Sequence, residues 1–241
     1  MLRSNRRPEK FERSVSFRFC YAGCVTTTVP LSGRRAQAAR NDEAILDAAR
    51  EVFVDDPSAP IAAVAQRAGV GISALYRRYK SKEELLQKLC ADGLDVYISC
   101  VEAALTELDA GDDPSEVFGG FVRRVVEADT HSLTMRLAGT FHPTDVHNEK
   151  AMRAGELNTR LVERLHEAGA IRPDLVVADL GQIFEMVAAI RFGDDQRRSE
   201  LRNRYVALLL DGMRRTDAEE MPGPAPFPGE FASRWVMKDE S

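Results

Sequence analysis

Residues 61–86 read IAAVAQRAGVGISALYRRYKSKEELL, and this run constrains the fold more than any other part of the chain. Ile61, Val64, Ala65 and Ala68 recur at helical spacing. Gly69-Val70-Gly71 then interrupts the period, and Ile72 to Tyr79 resumes it through Leu75 and Tyr79. Two short helices joined by a tight glycine-containing turn form a helix-turn-helix. Ala65 is small where the helices would cross, and Val70 and Leu75 would fill the wedge between them. Ser81 and Glu84 have the spacing of a capping box, which opens a longer helix with Leu85, Leu86 and Leu89 on one side. The outer face of the second short helix is left with Ser73, Tyr76, Arg77 and Arg78. A DNA major groove about 12 Å wide admits such a helix, and arginine bonds guanine bidentately there.

Charge distribution supports the same half of the chain as a nucleic-acid face. The formal net charge is −5, which alone argues against DNA. Residues 1–90 carry 16 basic and 10 acidic residues, whereas residues 91–241 carry 17 and 28. The first part is therefore at +6 and the remainder at −11, so phosphates would be drawn to the first and repelled by the second.

The rest of the pattern is helical. Aromatic residues make up only 7% while hydrophobic residues reach 44%, and Ala, Leu, Glu and Arg, which lose little rotamer freedom in a helix, are plentiful. Asn41 is placed to cap a first helix with Asp42 and Glu43 in its first turn, and Asp55-Asp56-Pro57-Ser58 stops it. Further helices are expected near 82–109, 114–129, 132–140, 146–168, 174–192 and 195–214. Asp112-Asp113 and Asp194-Asp195 read as turn and cap residues rather than catalytic pairs. The expected fold class is all-α: a three-helix head followed by a helical bundle. The expected divisions are an extension without ordered structure at 1–38, the head at 39–86, the bundle at 87–215, and a flexible proline-rich tail at 216–241.

The helix-turn-helix segment resembles the DNA-binding domain of the TetR/AcrR repressor family. The resemblance rests on Ala68-Gly69-Val70, Leu75-Tyr76, the aromatic Tyr79, and Ser81-Lys82-Glu83 at the start of the next helix. It covers about 41–90 closely and the remainder in helical architecture and length. It implies that Tyr76 contacts base or phosphate, that Arg77 and Arg78 meet bases and backbone, and that Lys82 anchors a phosphate. Ile72 and Ser73 open the same helix, and Arg40 stands where it could reach a phosphate or the minor groove; Arg34 and Arg35 lie further up the same arm. Tyr79 stands where the family usually buries Phe, and Ala59-Pro60 replaces its usual hydroxyl cap.

The resemblance also implies a homodimer on double-stranded operator DNA and a small-molecule effector that the sequence does not identify. Phe118, Phe121, Met135, Met152 and Phe184 are candidates for the effector cavity. Val187, Ile190, Tyr205, Leu208 and Leu209 are candidates for the dimer face on the last two helices.

Other constellations are weaker. His142, Asp145 and His147, with Asp129 and His131 upstream, are acceptable metal-ligand types. Yet His142 and His147 straddle Pro143 and share no regular helix face, so no metal is expected. Cys90 and Cys100 lie about 15 Å apart along a helix, beyond disulfide reach. Neither a phosphate-binding glycine loop nor a nucleophile elbow occurs, so no cofactor and no enzymatic activity are expected. Tyr21-Ala-Gly-Cys24 faintly resembles a lipoprotein cleavage box, but Arg18 and Thr26-Thr27-Thr28 break up any apolar segment. The reading is a reduced, cytosolic chain with no membrane partner. The alternative left open is a helical small-molecule or metal-binding protein whose helix-turn-helix is structural.

Overall fold

The computed structural model describes residues 33–214, 217, 219–227 and 229–230, and their side chains from Arg40 onward with the exception of 134–136. Among the described residues the chain is helical: α1 (Gly33–Asp55), α2 (Ile61–Arg67), α3 (Ile72–Arg78), α4 (Lys82–Ala110), α5 (Pro114–Glu127), α6 (Thr130–Leu137), α7 (Asp145–Glu167), α8 (Val177–Ala188) and α9 (Asp195–Arg214). The expected extension at 1–38 and its cleavage-box reading lie largely outside the described residues.

The expected stops hold for physical reasons. Gly111 ends α4 at φ 87°, a conformation glycine adopts without a Cβ clash. Asp113 caps α5 by accepting a bond from the Glu116 amide at 2.9 Å, with Pro114 in the first turn. Asp194 accepts from the Arg197 amide at 2.8 Å at the start of α9.

Two expectations at helix ends are corrected. α1 begins at Gly33, so Asn41 lies inside the helix rather than at its cap. Arg34-Arg-Ala-Gln-Ala-Ala-Arg40 are good helix formers with no apolar stripe, so hydrophobic period gives no sign of them. α8 is also shorter than expected: Asp179 accepts from the Val176 amide at 2.9 Å and sets its start.

Two hydrophobic cores share no residue. The first joins α1 to α3 and the start of α4, through Ile45, Ala49, Phe53, Val64, Leu75, Leu85 and Leu89. The second joins the C-terminal half of α4, with Val101, Leu105 and Leu108, to α5, α7, α8 and α9. α4, roughly 44 Å long, therefore enters both. α6 is the other bridge. Its Leu133 and Leu137, with Phe141 just beyond, belong to the first core although they lie far along the chain.

The segment after α9 is not loose throughout. Arg172 donates to the Glu219 carbonyl at 2.7 Å, and the Met221 amide donates to Asp174 at 2.7 Å. The bidentate Arg172 guanidinium and that amide hold the Asp174 carboxyl well below the usual carboxylate range. A flexible tail from 216 is thus corrected at 219–221. Among the described residues no helix is long and apolar enough to cross a membrane.

Candidate DNA-binding face and buried pocket

α3 is held from behind and bare in front. Leu75 is 0% exposed and Tyr79 5%, both in the first core, whereas Ile72 is 40% and Tyr76 48% exposed. Ser73, Arg77 and Arg78 are exposed as well. Gly69 takes φ 66° in the turn that sets α3 against α2. Ser81 accepts from the Glu84 amide at 3.1 Å, while the Glu84 carboxylate reaches back to the Lys80 amide at 2.6 Å. This variant of the capping box fixes the exit of α3.

Six of the expected contact residues, Arg40, Ile72, Ser73, Tyr76, Arg77 and Arg78, are exposed on α1 and α3. The Arg78 guanidinium pairs with Asp42 of α1, so that charge is partly spent inside the head. The side chains of Arg34 and Arg35 fall outside those described.

Lys82 has a second engagement that the sequence did not show. Its Nζ donates to the carbonyls of Pro57 at 2.7 Å and Ala59 at 2.8 Å, and lies 5.1 Å above the centre of the Phe53 ring. Two of its three N–H donors latch the α1–α2 loop, which leaves one for a phosphate. Lys82→Met is expected to cost about 1–2 kcal/mol of stability in urea unfolding while changing operator affinity less than threefold. A tenfold loss of affinity at unchanged stability would show the phosphate role instead.

The second core encloses a small pocket. Val125, Val126, Asp129, His131, Phe184, Val187, Ala188 and Arg202 line it, and its free volume is about 10 Å³, room for about one water molecule. Drug-sized ligands occupy clefts of about 300–1,000 Å³, so such a molecule fits here only if the surrounding helices move apart. Rings crowd one side: His131 lies 4.9 Å from Phe184 and 5.5 Å from Tyr97, centre to centre. Phe121 stands edge-on to Phe184 at 6.0 Å. The Tyr97 hydroxyl donates to Asn158 at 3.0 Å, and burial raises its pKa.

Opposite the rings sits Arg202, 6% exposed. Its Nη1 lies 2.8 Å from Asp129 Oδ1. Its Nη2 donates to the Ala188 carbonyl at 2.9 Å and to Ser132 Oγ at 3.1 Å, and its Nε donates to the Ile190 carbonyl at 3.3 Å. Arg202 thereby satisfies the end of α8, whose last carbonyls have no helical partner.

The family described as "Bacterial regulatory proteins, tetR family" matches residues 45–89, and that described as "Transcriptional regulator SbtR-like, C-terminal domain" matches 113–215. The HTH-type transcriptional repressor LfrR of Mycolicibacterium smegmatis is 30% identical over 144 residues, covering 59% of this chain and 71% of that protein. The chain belongs to the TetR family. It is a DNA-binding transcriptional regulator of that family. The fold is also that of the TetR regulator SCO0520 from Streptomyces coelicolor, at TM-score 0.51 and 24% identity over 72% of this chain and 98% of that one. A TetR regulator from Mycobacterium vanbaalenii gives TM-score 0.51 and 22% identity, covering 76% of this chain and 99% of that one.

Against this TetR-family frame, the remaining expected site residues divide. Of the cavity candidates, Phe184 lines the pocket, Phe121 backs it, and Phe118 is core packing at 0% exposure. Met152 is corrected outright: it is 63% exposed on α7. Met135 lies on α6, with its side chain outside those described. Sequence reasoning missed Asp129 and Arg202 as pocket residues and set His131 aside as a loop histidine; their partners come from distant helices. His142 and His147 are engaged elsewhere, bonding Glu83 at 2.9 Å and the Gln87 carbonyl at 2.9 Å. Cys90 is buried, which pushes its thiol up to about 12.

On the last two helices, Val187 is a second correction, since it is 2% exposed and faces the pocket. Ile190 and Leu209 are half-buried, whereas Tyr205 and Leu208 are exposed. Met186 and Phe192, absent from the expected set, are exposed beside them in sequence. Leu201, Tyr205 and Leu208 fall on one stripe of α9 at helical spacing.

Burial pushes the His131 imidazole down to about 4 from its ordinary value of 6.5. The unfolded chain takes up this proton below about pH 6.5 and the folded chain does not until about 4, so stability falls as pH drops through that window. The loss due to this group is about 2 kcal/mol at pH 5 relative to pH 7. His131→Leu is expected to remove that part of the pH dependence in paired urea titrations.

Proposed function

We propose that this TetR-family chain is a cytoplasmic homodimeric repressor that binds a palindromic operator and leaves it when a small molecule enters the bundle. The observation that carries the reading is α3 itself, its apolar side locked behind Leu75 and Tyr79 and its Ser73, Tyr76 and Arg77 turned to solvent. A side chain held on a rigid element meets base edges with little entropic cost. Dimerisation through the apolar stripe of α9 with Met186 of α8 sets two such helices on one face of a duplex. Half-sites would be spaced about 34–36 Å, one helical turn.

Release follows if the effector prefers a form in which the two heads no longer fit that spacing, and only to the extent of that preference. α4 carries motion from bundle to head because it lies in both cores. α6 is a second carrier: His131 lines the pocket while Leu133 and Leu137 sit in the head core.

Selection of duplexes from a random library, followed by anisotropy titration across salt concentrations, tests the reading. The expected result is an inverted repeat whose affinity falls steeply with salt. A protein that enriches no site at low salt, or only asymmetric ones, overturns it.

A further inference from the structure

We propose that residues Ala188–Arg191 form a relay that carries the state of the pocket to the C-terminal end of α1, separately from α4 and α6. This inference rests on the regulator reading above and names the wiring of its sensor.

The relay starts in the pocket wall. Asp129, Ala188 and Arg202 all line the pocket, and all three belong to one hydrogen-bonded cluster. Arg202 is the hub. Its guanidinium holds the Ala188 and Ile190 carbonyls from one side and the Asp129 carboxylate and Ser132 hydroxyl from the other. Asp129 Oδ1 also accepts from Ser132 Oγ at 2.5 Å, so the acidic partner is itself held at the start of α6. A molecule in the pocket that draws on Asp129, or pushes on Ala188, must shift the guanidinium. The 188–190 backbone follows, because two of its carbonyls are bound to it.

The next residue is Arg191, and it leaves the bundle. Its Nη1 donates to the Val54 carbonyl at 2.9 Å. Val54 lies in the last turn of α1, where carbonyls lack intrahelical partners and a cation is favoured. Asp55 stands 3.9 Å from the same nitrogen. The Arg191 side chain is 26% exposed, so the contact is partly shielded from water. A displacement of about 1 Å takes such a bond beyond range, whereas apolar contacts like those of Leu133 and Leu137 slide. The head end of the relay therefore answers sharply to a small motion. Lys82 holds the loop that follows through the Pro57 and Ala59 carbonyls, so the end of α1 and the loop leading into the helix-turn-helix are each tied by a basic side chain.

A double-mutant cycle on the full chain tests the proposal, with Asp129→Asn as the pocket perturbation and Arg191→Ala as the cut. Asp129 precedes α6 and Arg191 follows α8, and independent sites add. Two readouts are taken: anisotropy on the selected operator, and hydrogen exchange at the amides of Asp56, Ser58 and Ala59. Asp129→Asn is expected to change operator Kd at least fivefold and to speed exchange at those amides in the otherwise unaltered chain. In the Arg191→Ala background the change in Kd is expected to shrink at least twofold, α4 and α6 carrying what is left, and exchange at the loop is expected not to change. Arg191→Lys, which keeps a cationic donor, is expected to restore the response. If Asp129→Asn does not fold, Ser132→Ala takes its place, since it too loosens Asp129 and Arg202. Equal effects of the pocket substitution in both backgrounds overturn the relay. A chain that binds no operator overturns the regulator reading instead, and exchange alone then decides whether the relay exists.

Discussion

Arg77→Ala lowers operator affinity by about 30- to 1,000-fold, since each of two heads loses a base contact worth about 1–2 kcal/mol. Arg77 is the stronger test than its neighbour. It is exposed on the outer face of α3, whereas the Arg78 guanidinium is paired with Asp42. Arg78→Ala thus costs less on DNA and also loosens the packing of α1 on α3. Anisotropy on the selected operator and on a scrambled duplex separates the two roles. Loss on the operator alone marks base reading, while equal loss on both marks a phosphate contact and reduces the salt slope by about two, one for each head. An Arg77→Ala protein with unaltered affinity for both duplexes removes α3 as the recognition helix.

Leu208→Glu splits the dimer. Leu208 is 60% exposed on α9 and Tyr205 46%, with Met186 of α8 at 55%, so the single protomer leaves an apolar surface in water. Burying a carboxylate from each protomer in that surface weakens association by about 4 kcal/mol, close to a thousandfold. The fold itself is expected to survive, because the residue makes no core contact in the protomer. Sedimentation velocity reads the outcome: a monomer with native far-UV dichroism. Operator binding should fall with it, since one head alone contacts only a half-site. A dimer that persists unchanged moves the interface to another face.

How much of this was legible in the sequence depends on whether the information is local. Helix period, the Gly69 turn and the Ser81 cap act over a few residues, and they placed α2, α3 and α4 closely. Asp113 and Asp194 were readable as caps for the same reason. The start of α1 was not, because its first turns are polar all round and present no stripe. The pocket was less legible still. Aromatic residues in the middle helices mark a core, but which of them meets a void is set by the packing of five helices. Phe118 and Phe184 look equivalent in sequence, yet only Phe184 reaches the pocket. Arg202 looks like any arginine on a charged helix, since its partners lie 12 to 73 positions away. Lys82 is a further case: its position in the motif suggested a phosphate, and the loop carbonyls that two of its donors meet were not legible in the sequence.

Because no side chain is common to the two apolar clusters, the protomer has two units that can come apart in turn. The head holds the smaller cluster, and it keeps its last pieces, Leu137 and Phe141, only as long as α6 stays in place. Proteases should therefore nick the loops around α2 and α3 well before they open the bundle, and bound duplex should protect them. Heat should likewise be absorbed in two stages, with DNA raising the first and leaving the second where it was.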